Sequence, residues 1–246
     1  MDRVPSDVIY GLTLDGKGGM TPLAAGSEIP AAQPSWVHLD YGNPESARWL
    51  LQTPLLNDAA RESLLGQSNR PKLVRMGETV LLILRGINHN KDHRPEEMVA
   101  LRIYITPDFI LSSRRRSLLS EKDVFQQLVL GGGAISSADW LVEICDALTD
   151  RAGEFVEELH DQILELEEIV LMRELPANGR LARIRKQLIM IRRYLSPQRD
   201  LVARLANEKP SWLDEGDRGR QLDVADGTRR WLDDVEARAA GSGVLA

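Results

Sequence analysis

Val-Leu-Leu-Ile-Leu at residues 80–84 and Val-Ala-Leu-Arg-Ile-Tyr-Ile at residues 99–105 decide the fold of this chain. Both runs are apolar and partly β-branched, as is typical of buried strands, and the polar segment at residues 88–97 joins them. Trp-Val-His-Leu-Asp-Tyr at residues 36–41 predicts another strand, and Phe-Ile-Leu at residues 109–111 predicts a further short one. These runs together predict a β-sheet in the first half of the chain.

Turn and helix signals separate the predicted strands. Apolar residues alternate from Val8 to Leu14 and stop at Asp15-Gly16, a pair that is typical of hairpin turns. Asn43-Pro44-Glu45 predicts the start of a helix. Strands interleaved with short helices indicate a layered α/β or α+β domain, which we assign to residues 1–135.

The sequence changes character after the three glycines at residues 131–133. Apolar residues then recur at intervals of three and four over residues 141–170, which predicts one long helix. The segment at residues 175–179 is expected to end that helix, and the same spacing over residues 181–205 predicts a second one. Residues 136–209 are therefore predicted to form a helical hairpin that packs on the sheet domain.

Two prolines mark changes within the C-terminal half. Pro197 lies inside the second helical pattern, which continues on both sides of it, so we expect a bend rather than an end. Pro210 precedes a third helix, for which Ser211 is the expected N-cap. A narrow apolar stripe over residues 222–239 is typical of packing between helices in a stalk. We predict that residues 210–246 form a stalk helix.

Composition excludes several classes of function. The 246 residues carry 31 Lys and Arg against 37 Asp and Glu, a formal net charge of -6, which argues against a protein that coats nucleic acid. The single cysteine, Cys145, has no partner for a disulfide or a zinc ribbon, which favours a reducing cytoplasmic compartment. A secretory signal is not found, and no apolar run approaches the ~18 to 20 residues of a membrane helix. No motif indicates covalent or hydrolytic catalysis, so we do not expect an enzyme.

The two arms of the predicted helical hairpin carry opposite charge. Residues 139–174 are strongly acidic, whereas residues 180–209 are mostly basic. On the acidic arm, Glu157, His160 and Asp161 fall within about one helical turn, which brings an imidazole and carboxylates close together, as zinc prefers. This group is our first candidate for a metal contact. Solvated helix faces with a few ion pairs between the arms are the alternative interpretation.

A second group of potential metal ligands lies in the polar segment between two predicted strands. The spacing of His89, Asp92 and His93 permits shared ligation of a metal, although an exposed loop explains the same residues equally well.

His38 lies between apolar neighbours, and we interpret it as a hydrogen-bonded histidine within its strand. Arg114-Arg115-Arg116 is interpreted as a solvated entry to a helix rather than as a phosphate contact.

Six short stretches carry a resemblance to a known family, in order and at compatible spacing over essentially the whole chain. They are Trp-Val-His-Leu-Asp-Tyr at residues 36–41, Leu-Ile-Leu-Arg-Gly-Ile-Asn at 82–88, Pro-Glu-Glu-Met-Val at 95–99, Arg-Arg-Arg at 114–116, Arg-Lys-Gln at 185–187 and Arg-Arg-Tyr-Leu-Ser-Pro-Gln-Arg at 192–199. The sequence is similar to the cytoplasmic part of ZntB-like zinc transporters, which belong to the CorA family of divalent cation transporters.

The resemblance implies an αβα layered domain of the α+β class with a mixed β-sheet, followed by long helices. It also implies a funnel of five identical chains that attracts and gates ions, with Zn²⁺ as the transported or regulatory ion. Further copies of the chain and divalent metal ions are the implied partners. In this family the stalk helix leads into two membrane helices, which this sequence lacks. We therefore expect a soluble domain on the cytoplasmic face of the bacterial inner membrane, which meets the membrane only through those helices.

Two alternatives to a zinc transporter domain stay open at this point. The nearer one is the corresponding domain of a CorA-type magnesium or cobalt transporter. The other is a free-standing helical scaffold protein without a role in ion transport.

Overall fold

Seven strands form one mixed sheet at the centre of the protein. The computed structural model describes residues 2–66, 70–91, 93–173, 178–208 and 210–241. The strands are β1 (Tyr10–Leu14), β2 (Met20–Pro22), β3 (Ser35–Asp40), β4 (Lys72–Met76), β5 (Thr79–Gly86), β6 (Val99–Ile105) and β7 (Phe109–Arg114). Their order across the sheet is β2-β1-β3-β7-β6-β5-β4. Among these described strands only β3 and β7 run parallel, whereas the other neighbours are antiparallel, so the predicted mixed sheet is confirmed.

Helices cover both faces of the sheet. The helices are α1 (Pro44–Gln52), α2 (Asp58–Leu65), α3 (Leu119–Leu130), α4 (Ser137–Arg173), α5 (Asn178–Glu208) and α6 (Glu215–Gly241). On one face, Leu81 and Tyr104 belong to a core that includes Leu50 of α1 and Leu64 of α2. On the other face, the alternate residues of the same strands pack in a core with α3, α4, α5 and α6. The predicted αβα layering is therefore confirmed.

The start of α1 follows the sequence signal closely. The Asn43 side chain accepts a hydrogen bond from the backbone N–H of Glu45 at 3.0 Å, and Pro44 occupies the first turn, where its missing N–H costs nothing.

The start of α6 differs from the prediction, because the helix begins four residues after Ser211. Asp214 is the capping residue, and its carboxylate accepts from the Asp217 N–H at 2.8 Å. The hydroxyl of Ser211 instead donates to Glu78 in the turn between β4 and β5, at 2.6 Å.

The last helix packs in parallel beside α4. Thr149 and Thr228 share a hydrogen bond of 3.1 Å, and the Trp231 ring lies directly over Gly153, where any Cβ would stand 2.3 Å from the indole. Because Gly153 carries no side chain, α4 and α6 approach closely at this point. On its other side α6 is antiparallel to α5, to which it is joined by a 2.8 Å ion pair between Arg192 and Glu236.

One apolar core joins the sheet to α4, α5 and α6, and a second core joins the three long helices to one another. The division of the chain at residues 135 and 209 therefore follows the order of the elements, and it stays a prediction. Across the described ranges, none of the helices has the length together with the apolar character that crossing a membrane requires.

The middle of α5 is fixed to the sheet by one glutamine. The helix continues through Pro197, as expected. The next residue, Gln198, accepts from the Arg85 backbone N–H at 2.6 Å, and its side-chain amide donates to the Arg85 carbonyl at 3.2 Å. Strand β4 pairs with β5 only as far as Ile83, so Gln198 satisfies the backbone groups of Arg85 on the side of β5 where β4 has ended.

Candidate functional site

The structure places the first group of predicted metal ligands on α4. Glu157 and Asp161 are exposed, and His160 is partly buried. The Nδ1 atom of His160 is buried and has no hydrogen-bond partner within the described part of the chain. No three His, Cys, Asp or Glu side chains among the described residues form a group that could hold a metal ion. The assignment of the α4 group to a metal stays a prediction.

The second predicted group lies between β5 and β6. His89 is exposed, and the Nδ1 atom of His93 lies 3.7 Å from a carboxylate oxygen of Glu97. Asp92 lies outside the described residues. The role of His89, Asp92 and His93 in metal binding is likewise still a prediction.

An acidic groove between α4 and α6 was not anticipated from the sequence. It encloses a cavity of about 790 Å³. Its charged lining comprises the carboxylates of Glu143, Asp146 and Asp150 on α4, those of Asp223, Asp233 and Asp234 on α6, and the guanidinium groups of Arg220 and Arg230. The carboxylates on α4 follow one another at helical intervals of three and four, which places them on one face, and the parallel packing of α6 brings its own carboxylates opposite.

The electrostatics of the acidic groove favour a cation. Burial, together with the negative charge of Asp139, raises the pKa of Glu143 to about 7. Burial and the neighbouring Asp150 also raise the pKa of Asp146. Arg220 pairs with Asp139 at 2.5 Å and with Asp217 at 2.6 Å, and its positive charge offsets part of the rise in the pKa values of Glu143 and Asp146. Burial is the larger cause of both raised pKa values, and repulsion between the carboxylates adds to it; a positive ligand would relieve that repulsion.

A buried ionic cluster joins β3 and β7 to α3. The Nε2 atom of His38 lies 3.0 Å from Glu121, and Arg114 donates to the same carboxylate at 2.7 Å. Burial alone would raise the pKa of Glu121, but His38 and Arg114 together hold it below its ordinary value. On its other side the His38 ring hydrogen-bonds the Ser112 hydroxyl at 2.7 Å. The interpretation of His38 as a hydrogen-bonded strand histidine agrees with these contacts.

The interpretation of the arginine run as a solvated helix entry is wrong for its first member. The Arg114 side chain is only 12% exposed and points to Glu121, while Arg115 and Arg116 are exposed. The alternation of β7 explains the difference, since Ser112 and Arg114 share the face of the sheet that α3 covers. Sequence alone gave no sign that Glu121, the third residue of α3, would lie inside the protein.

Comparison with known proteins finds relatives over nearly the whole chain. The family model of the CorA-like Mg²⁺ transporter protein matches residues 31–246. The zinc transport protein ZntB of Yersinia enterocolitica (serotype O:8 / biotype 1B, strain NCTC 13174 / 8081) is 45% identical over 241 residues, which cover 98% of this chain and 74% of that protein.

Two solved structures have the same architecture. The full-length CmaX protein superposes with a TM-score of 0.91 at 31% identity, and the match covers 100% of this chain and 76% of that one. The ZntB cytoplasmic domain from Vibrio parahaemolyticus RIMD 2210633 superposes with a TM-score of 0.86 at 20% identity, and the match covers 98% and 95% of the two chains. At that identity the second likeness shows the fold alone. The resemblance stated from the six sequence stretches is confirmed, and the chain belongs to the CorA-like family of Mg²⁺ transporter proteins.

Proposed function

We propose that this chain is the cytoplasmic domain of a zinc transporter, where it attracts divalent cations and takes part in gating, without bond-making chemistry of its own. The observation that carries the proposal is the 45% identity, over 98% of the chain, to a zinc transport protein. Assembly into a homopentameric funnel on the cytoplasmic face of the inner membrane belongs to the same proposal. The membrane helices of the transporter would complete the ion path.

The acidic groove supplies the attraction in this proposal. Six carboxylates against two guanidinium groups give it a negative potential, which raises the local concentration of cations. A cation in the groove contacts both α4 and α6, so its occupancy favours one relative position of the two helices. Movement of α6, the predicted stalk helix, would then transmit that occupancy toward the pore.

The predicted ligands on α4 complete the proposal. His160, with Glu157 and Asp161, is the first candidate for a direct zinc contact, because its buried Nδ1 atom has no protein partner among the described residues. His89, Asp92 and His93 are the second candidates. A neighbouring subunit would have to supply further ligands to either group.

Two measurements on the purified chain test this proposal. Native mass spectrometry should show pentamers, and calorimetry should show Zn²⁺ binding that weakens in a Glu143→Gln, Asp146→Asn, Asp150→Asn variant. A separate His160→Ala, Asp161→Ala variant tests the direct contact, and Glu158→Gln, an exposed change on the same helix, serves as the control. Unchanged zinc binding in both variants would remove the two sites from the proposal.

Magnesium or cobalt transport is the second candidate, because the matching family model is that of a Mg²⁺ transporter. Competition between Zn²⁺, Mg²⁺ and Co²⁺ for uptake by cells that express the native gene separates the two. Zinc uptake that excess Mg²⁺ does not reduce favours the zinc transporter. Magnesium uptake that excess Zn²⁺ does not reduce favours the alternative.

A further inference from the structure

Another cavity has a lining that shares no residue with the lining of the acidic groove. It encloses about 400 Å³ where the ends of β5 and β6 meet α5. Tyr41, Arg85, Arg115, Arg116 and Tyr194 contribute to its lining. Three guanidinium groups and two tyrosines in one small cavity are the groups that bind oxyanions in proteins.

Arg85 is the buried member of this set. Arg85 is only 6% exposed, and among the described residues its side chain makes one hydrogen bond, from Nη2 to the Met98 carbonyl. The Nε atom is buried and has no partner among the described residues, and no carboxylate in that part of the chain lies within ion-pair distance. A buried charge without a counter-ion is costly, so the fold retains Arg85 at an energetic expense that a bound anion would offset.

The Arg85 guanidinium lies over one aromatic ring. Its central carbon lies 4.7 Å from the centre of the Tyr194 ring on α5. The pKa of Arg85 is lowered by burial, and nearby Arg102 acts in the same direction, whereas Tyr194 and Tyr41 oppose it. The N–H groups of a guanidinium lie in its own plane. A guanidinium over the face of a ring can therefore still offer them, as a fixed fork, to a ligand at its edge.

The two carboxylates of the cavity are engaged with other groups. Glu96 accepts a hydrogen bond from Gln187 at 3.2 Å. Glu97 lies 3.9 Å from Arg116 and is also close to His93. Arg115 is exposed and forms no ion pair with the residues that the structure describes. Arg85 and Arg115 are therefore the guanidinium groups that remain available to a ligand.

A neighbouring cavity extends the positive surface. It encloses about 460 Å³, shares Tyr194 with the first cavity, and has Arg70 and Arg193 in its lining without any carboxylate. Together the two cavities present five arginines against two carboxylates. This excess of positive charge favours an oxyanion with more than one negative charge.

We propose that the cavity between β5, β6 and α5 binds a phosphate group, with Arg85 as the buried anchor and Arg115 as the second guanidinium at its mouth. Phosphate matches both the forked geometry and the charge, since it carries between one and two negative charges near neutral pH. The bound group would connect β5 to the middle of α5, next to Gln198. Free phosphate and a phosphate monoester present the same chemistry to this site.

The test is a titration of the purified full chain with inorganic phosphate by calorimetry at constant ionic strength. Arg115→Gln should weaken binding by about 10-fold and Arg85→Gln by about 100-fold, as expected for the loss of charged hydrogen bonds. Arg85→Lys, which retains charge without the fork, should also weaken binding by about 10-fold. Arg192→Gln, on the surface of α5 and paired with Glu236, is the matched control and should bind like the unmodified chain.

The outcomes decide between specific and incidental binding. Chloride that binds as tightly as phosphate, or Arg115→Gln that binds as well as the unmodified chain, overturns the proposal. Arg115 is exposed, so that variant decides the question even if a change at Arg85 prevents folding. A second titration with adenosine monophosphate distinguishes the sources: tighter binding than that of phosphate identifies a monoester ligand, and weaker binding identifies free phosphate.

Discussion

Replacing Glu143 by glutamine tests the electrostatics of the acidic groove. The carboxyl is half-buried, its Oε2 atom lacks a hydrogen-bond partner in the described ranges, and its pKa is raised to about 7 from 4.5. The folded chain therefore binds more protons than the unfolded chain between these two values. Stability must fall as the pH rises through that window, because the folded state has to ionise a carboxyl in an unfavourable place.

The size of the effect follows from the same shift. If the carboxyl were fully buried, this pKa shift would lower the free energy of unfolding by about 3 kcal/mol across the pH window. Solvent screens the exposed half of the side chain, which reduces the expected loss to about 1 kcal/mol. Glutamine keeps the shape and removes the charge. Glu143→Gln should therefore match the unmodified chain below about pH 4 and exceed its stability by about 1 kcal/mol at about pH 8.

Urea unfolding, followed by circular dichroism across this pH range at low salt, provides the assay. High salt should reduce the difference, because it screens the repulsion from neighbouring carboxylates. Glu158→Gln on the exposed surface of α4 is the control for changes in helix propensity. A gap between Glu143→Gln and the unmodified chain that stays constant from acid to alkaline pH would refute the reasoning.

Three further substitutions test the fold. Glu121→Ala should cost about 3 to 5 kcal/mol in urea unfolding, because it leaves buried histidine and arginine partners without their counter-charge; a loss below about 1 kcal/mol would contradict this. Gly153→Ala should cost about 1 to 3 kcal/mol and alter the fluorescence of Trp231, which has to move away from the new Cβ; unchanged emission would show that the helices do not meet there. Gln198→Ala should speed hydrogen exchange at the Arg85 amide, where its bond to the side chain is lost, with a cost of about 1 to 3 kcal/mol; equal exchange rates would disprove the contact.

The sheet could be predicted where apolar residues run together. Residues 80–84 lie in β5, and the run at residues 99–105 coincides with β6, since central strands are buried on both faces and need apolar side chains throughout. Strand β4 escaped prediction because Lys72 and Arg75 interrupt its apolar residues, as an edge strand permits.

The site depends on contacts that spacing along the chain does not reveal. Helical periodicity predicted α4, and the residues of that segment showed its acidic character. Neither indicated that α6 packs beside it. The parallel approach of α6 depends on Trp231 packing over Gly153, and those two residues are far apart in sequence. The opposed carboxylates of the groove follow only from that packing. Likewise, the direction of the Arg114 side chain depends on α3, which places Glu121 over the sheet.

Zinc uptake by cells that express the native gene tests the central claim most directly, when it is compared with uptake through a Glu143→Gln, Asp146→Asn, Asp150→Asn variant at equal membrane levels. If the groove concentrates cations for transport, uptake at low zinc should fall several-fold in the variant, and the deficit should shrink as zinc or salt is raised. Equal uptake by both proteins at every zinc concentration would contradict the account.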